Sequence, residues 1–128
     1  MIPNIVHFIY FNGPGSREFG FVNYLAIRTA YEVQKPDALY LYYNTEPVGN
    51  PHWDRMKQYA TLVQIDPPKE FMGVDLPYVQ YQADVVRLQK LFIHGGIYLD
   101  TDVLMLKPLT PLMDRRCVMG AEGYVDHV

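Results

Sequence analysis

Cysteine is almost missing: Cys117 stands alone among 128 residues, which excludes an internal disulfide framework and any cysteine-based metal site within the chain. A lone thiol of this kind reads as buried and inert. Long apolar runs are missing as well. No stretch approaches the roughly 20 residues a bilayer demands, and Met1 passes almost directly into Ile5-Val6-His7-Phe8-Ile9, with no basic start and no cleavage site. The expectation is a soluble, cytoplasmic chain without a membrane span. Positive charge is scarce too. Eleven Lys and Arg against fourteen Asp and Glu leave a net charge of −3, the wrong sign for a chain that grips nucleic-acid phosphates. At 49% apolar and 20% charged, the chain falls outside the disordered class, and its length supports one domain, residues 1–128. The excess is in tyrosine, with eleven copies, as half-buried strands favour.

Periodicity divides the chain into alternating strands and helices. Ile5 to Phe11 is a continuous apolar run, short enough for a strand buried on both faces. Asn12-Gly13-Pro14-Gly15-Ser16 turns out of it. Val22, Leu25, Ala26, Thr29, Ala30 and Val33 are spaced for one helix face, which Lys35-Pro36-Asp37 ends. Ala38 to Tyr43 predicts a second strand, His52 to Tyr59 a short helix, and Thr61 to Ile65 a third strand. Asp66 to Pro77, with three prolines and a glycine, reads as loop. Tyr78 to His94 then predicts an amphipathic helix with Tyr81, Val85, Leu88 and Phe92 on its apolar stripe, capped by Gly95-Gly96. Ile97 to Asp100, Val103 to Leu106 and Cys117 to Ala121 complete the predicted strands. Such alternation implies an α/β domain with a largely parallel sheet. His7 within the first strand reads as a satisfied core histidine, while His52, His94 and His127 show no metal-ligand spacing.

The chemistry gathers at Asp100-Thr101-Asp102. Open α/β sheets bind ligands beyond the carboxyl ends of their strands. On an extended segment, two carboxylates two residues apart point to one side, about 6.8 Å apart along the chain. Two such oxygen donors suit Mg²⁺ or Mn²⁺ shared with a diphosphate. Alone, the pattern is also that of a solvated acidic turn. The helix feeding this strand adds Gln80, Asp84 and Arg87 on a polar stripe beside the apolar one. Their bland reading is a local ion pair on a wet face. Their functional reading sets Asp84 on sugar hydroxyls and the planar fork of Arg87 on sugar or phosphate.

The run Ala83-Asp84-Val85-Val86-Arg87 through Gly95-Gly96-Ile97-Tyr98-Leu99-Asp100-Thr101-Asp102 resembles the donor-sugar signature of the DXD-containing glycosyltransferases of family 32. Yeast initiating mannosyltransferases belong to that family, and the glucosylating domains of large clostridial toxins are related to it. Ile2-Pro3-Asn4-Ile5-Val6-His7 is similar to the family's opening strand. The resemblance implies a GT-A type, Rossmann-like fold with flanking helices and a UDP- or GDP-sugar donor. It further implies transfer, with retention, to a glycan, protein or lipid hydroxyl. By matched position, Asp102 would be the principal metal ligand and Asp100 would serve ribose and metal. Asp84 and Arg87 would hold the transferred sugar, and Ile9 and Tyr10 would lie along the base. Family members generally carry Trp where this chain has Tyr10. Glu122 falls where the family often places an acid facing the sugar. Complete members are longer, so the chain reads as a fragment, truncated at its C-terminus, or as a minimal donor domain.

Two other readings compete. Haloacid-dehalogenase-type phosphatases also start from Asp-x-Asp at a strand end. They usually place Thr or Val where this chain has Leu104, and they need later Lys and Asp motifs for which the 26 residues after Asp102 leave little room. A nucleotide-sugar-binding module without turnover is the second.

Overall fold

Alternate residues of a strand leave in opposite directions, and in the first strand of this chain both directions are apolar. The computed structural model describes residues 1–121. Its elements run β1 (Ile5–Tyr10), α1 (Phe21–Thr29, continued by a π turn at Ala30–Gln34), β2 (Ala38–Tyr43), α2 (Pro51–Met56), β3 (Thr61–Gln64), β4 (Glu70–Phe71), β5 (Val74–Asp75), α3 (Val79–His94) and β6 (Ile97–Tyr98). A 3₁₀ turn follows at Thr110–Leu112. The main sheet is wholly parallel, in the order β3-β2-β1-β6. Val6, Phe8 and Tyr10 point with Leu39 and Leu41 into one layer, against Tyr24, Ala26 and Ile27 of α1 and Trp53 and Met56 of α2. Ile9, Phe11 and Tyr42 point the other way, against Val79 and Val86 of α3. Burial on both faces is why β1 reads as an unbroken apolar run. Each fully buried large side chain, such as Phe8, Ile27 or Trp53, contributes about 1.5–3 kcal/mol over its exposed state.

His7 is the polar member of β1 and is fully satisfied. Its Nδ1 accepts from the Tyr42 hydroxyl at 3.0 Å, and its Nε2 donates to the Gly95 carbonyl at 2.9 Å. Burial pushes its pKa below the usual histidine value, so the neutral ring belongs to the fold.

Several expectations need correction. On α3 the sheet-facing residues are Val79, Ala83 and Val86, while Tyr81, Leu88 and Phe92 are exposed, Phe92 at 92%. Two apolar stripes compete on this helix, and hydrophobic spacing alone could not rank them; Val85, buried at the margin, belongs to both descriptions. On α1, similarly, Tyr24 and Ile27 are buried while Val22 is half exposed. Asp66–Pro77 is not all loop. β4 and β5 form a two-residue hairpin across Met72 and Gly73, both at positive φ (50° and 80°), a turn usually announced by Asn-Gly rather than Met-Gly. Val103–Leu106 and Cys117–Ala121 are not strands, and the Cys117 thiol is exposed rather than buried. The segment after Thr101 is held by side chains instead of a ladder: Met105 N–H donates to Thr29 Oγ1 at 3.1 Å and Leu109 N–H to Gln34 Oε1 at 2.7 Å.

Candidate active site

Strand order places the cleft. The chain builds outward from β1 through β2 to β3, then returns to lay β6 on the opposite side of β1. The reversal opens a crevice between the carboxyl ends of β1 and β6, where parallel α/β sheets bind ligands. A cleft of about 870 Å³ lies there. β1 lines it with Ile9 and Tyr10, α3 with Gln80, Asp84 and Arg87, and the segment after β6 with Asp100, Thr101 and Asp102. The loop after β1 adds Arg17 and Glu18.

Gly95-Gly96 brings α3 back onto the sheet. Gly96 has φ +97°, and its Cα lies so close to β1 that an added Cβ would sit 2.4 Å from the Ile5 carbonyl oxygen. That approach permits the pairing of Ile97 with Val6 and Tyr98 with His7. Leu99 N–H donates to the His7 carbonyl at 3.1 Å, and there the ladder ends. Asp100 to Val103 is a turn closed by Val103 N–H on the Asp100 carbonyl at 3.1 Å. The expected extended geometry is therefore absent. The two carboxylates reach the cleft from a turn, not from alternate positions of a strand.

Arg87 ties the two acidic groups together. Its guanidinium pairs with Asp84 one helical turn away and lies 3.9 Å from Asp100 Oδ1. It also sits 4.8 Å from the Tyr98 ring centroid, within cation–π range. The Tyr98 hydroxyl donates to Asp100 Oδ1 at 3.0 Å. Burial pushes the Tyr98 phenol up, and the Asp100 charge adds to this, so Tyr98 stays a proton donor to Asp100. Asp84 and Arg87 of the α3 stripe thus meet Asp100 in one network, and Asp102 lines the same cleft.

Tyr10 is placed differently from Ile9. Its ring is buried, edge-on to Phe19 at 5.2 Å and tilted against Trp53 at 5.8 Å, and its hydroxyl donates to the Arg17 carbonyl at 3.1 Å. It borders the cleft while holding the loop that frames it. Gln80 holds the same loop through the Gly15 carbonyl at 2.6 Å. Glu122 and His127 lie outside the described residues.

Sequence reading missed Asn23, Arg17 and Glu18. The signal for Asn23 was faint: Gly20 has no side chain to cap the helix, and an amide three residues later supplies only the reciprocal half of a capping box, accepting from Gly20 N–H. Arg17 and Glu18 carry no pattern of their own; only the fold brings them to the cleft.

The donor set fits a hard cation. Asp100 and Asp102 offer carboxylate oxygens, the chemistry Mg²⁺ and Mn²⁺ select. Among the described residues no group of three or more His, Cys, Asp or Glu is placed to hold an ion, so two carboxylates would need oxygens from water and from a diphosphate. No helix among the described residues is long and apolar enough to cross a membrane.

Over 131 residues the chain is 34% identical to Glucan organizing enzyme 1 of Cryptococcus neoformans var. grubii, a match covering 98% of this chain and 36% of that protein. The chain thus spans about a third of that relative's length. Among solved structures, one titled PaToxG Glycosyltransferase aligns with a TM-score of 0.49 and 21% identity, over 84% of this chain and 44% of that one. A family profile described as "Glycosyltransferase sugar-binding region containing DXD motif" matches residues 23–119, from α1 through the Asp100–Asp102 turn and beyond. The chain belongs to this family of DXD-containing glycosyltransferase sugar-binding regions.

Proposed function

We propose that residues 1–128 form the donor domain of a metal-dependent glycosyltransferase that takes a UDP- or GDP-sugar and passes the sugar to a hydroxyl of a glycan, protein or lipid, with retention. The observation that carries this reading is the charge of the cleft. Its described lining holds four carboxylates (Glu18, Asp84, Asp100, Asp102) against two guanidinium groups (Arg17, Arg87), a net of two negative charges. At an effective dielectric of about 20, two unit charges about 5 Å apart interact by about 3 kcal/mol. A diphosphate would therefore be repelled from this cleft, and an uncharged or cationic ligand would not be. A divalent cation reverses the balance, and the acids placed to hold one are those of the family motif.

Asp102, with Asp100, would hold Mn²⁺ or Mg²⁺, which when bound supplies neutralisation of the charge on the departing diphosphate. The chain's own residues do the rest. Arg87, kept in place by Asp84, Asp100 and the Tyr98 ring, presents its remaining N–H groups to sugar or phosphate. Asp84 accepts from sugar hydroxyls. Ile9 and the loop held by Tyr10 and Gln80 border the space for the base. Tyr98 orients the Asp100 carboxylate by donating to one of its oxygens, leaving the other free.

A second reading, a donor-binding module without turnover, is favoured by the two-carboxylate metal site. One experiment separates the two. Incubated with a radiolabelled UDP- or GDP-sugar and Mn²⁺, the enzyme releases free sugar slowly even without acceptor; the module binds and releases none over a day. No binding of either donor contradicts both.

A further inference from the structure

Between Leu99, where the β6 ladder ends, and Met105, which Thr29 holds, the backbone carries Asp100 and Asp102 on a turn with a single internal hydrogen bond. Among the described residues, one hydrogen bond ties that stretch of backbone to another element. It comes from Asn23, 78 positions earlier, whose Nδ2 donates to the Thr101 carbonyl at 2.8 Å. The Oδ1 of the same amide accepts from Gly20 N–H at 2.8 Å. Asn23 is half-buried and lines the cleft.

We propose that Asn23 is a positioning residue for the donor site, holding the turn that presents Asp100 and Asp102 by clamping the Thr101 carbonyl to the first turn of α1. This rests on the donor-site reading above. Capping Gly20 requires an acceptor alone, so Asp, Glu or Gln at this position would serve it. Donating to Thr101 while accepting from Gly20 takes a side chain with both capacities, which the amide supplies on two separate atoms and a carboxylate lacks. The clamped carbonyl belongs to the residue between the two acids, so a shift there moves both carboxylates at once. The neighbouring polar contacts act elsewhere: Arg87 and Tyr98 pair with the Asp100 side chain, and among the described residues neither is hydrogen-bonded to the Thr101 carbonyl.

The test compares Mn²⁺-dependent binding of UDP and GDP, by calorimetry on the full chain, in the parent and three variants. Asn23→Ala places a good helix former in the helix but removes the clamp, and the expected loss is about tenfold in nucleotide affinity with Mn²⁺ present. Asn23→Gln, which keeps both donor and acceptor, recovers most of it. Leu39→Val lowers stability at the far end of the sheet and leaves affinity unchanged. Should Asn23→Ala not fold, Asn23→Ser, whose hydroxyl is too short to reach Thr101, replaces it. Unchanged affinity in the clampless variant overturns the inference alone, as does an equal loss in Leu39→Val. Failure of the parent chain to bind UDP or GDP overturns both this inference and the donor-site reading.

Discussion

Replacing Gly96 with alanine tests whether the close approach of α3's end to β1 builds the site. The perturbation has two parts. A φ of +97° strains any residue with a Cβ, at a cost of about 1–2 kcal/mol. The new Cβ would also stand 2.4 Å from the Ile5 oxygen and 3.2 Å from its carbon, backbone atoms that can yield only if the strand moves. Moving β6 away from β1 weakens its hydrogen bonds to β1, each contributing about 0.5–1.5 kcal/mol. The expected total is about 3–4 kcal/mol. Gly49→Ala is the internal control: φ is +77° and nothing lies within 4 Å of the added carbon, so it costs about 1 kcal/mol. Urea unfolding at unchanged m value reads both. If the two variants agreed to within about 0.5 kcal/mol, steric contact with Ile5 would not be what restricts position 96, and the argument for β6 placement would fail.

Arg87→Lys keeps the charge but loses the planar fork. Stability should fall by no more than about 1 kcal/mol, since the paired carboxylates are largely exposed, while donor affinity drops about tenfold; equal affinity by calorimetry would make Arg87 merely structural. Phe92→Ser should change stability by less than about 0.5 kcal/mol, whereas Val86→Ala should cost about 1–3 kcal/mol; a reversed order in urea unfolding would restore the stripe that spacing alone suggested. His7 makes stability depend on pH. Its folded pKa lies below its ordinary 6.5, so the unfolded chain binds the proton first as pH falls. The His7 contribution is complete above about pH 6.5 and is lost progressively below it. Unfolding midpoints measured between pH 7.5 and 5.5 should decline, and His7→Gln should flatten that decline.

The sequence was most informative where local and global signals coincide. β2 was legible to the residue because Ala38–Tyr43 is apolar on both faces and bounded by Pro36-Asp37 and Asn44. The helix from Val79, its glycine end and the acids after β6 were legible because backbone geometry and charge both mark them. Failures arose where tertiary context decides between equal local options. Helix α3 offers two apolar stripes, and only docking on Ile9 and Tyr42 selects Val79–Val86. Val103–Leu106 has strand composition, yet Thr29 and Gln34 satisfy the segment's backbone at Met105 and Leu109 in place of a ladder. Asn23 escaped notice because its partner is a backbone carbonyl, which no side-chain pattern reports.

The central claim is that an ion held at Asp100 and Asp102 admits a sugar nucleotide to an otherwise repelling cleft. Thermal unfolding with UDP- and GDP-sugars, with and without Mn²⁺, tests it most directly, because a ligand bound only by the folded chain raises its melting temperature. The account predicts a rise for one of the two bases that requires Mn²⁺ and vanishes in Asp102→Asn. A rise of equal size without Mn²⁺, or in Asp102→Asn, would contradict it.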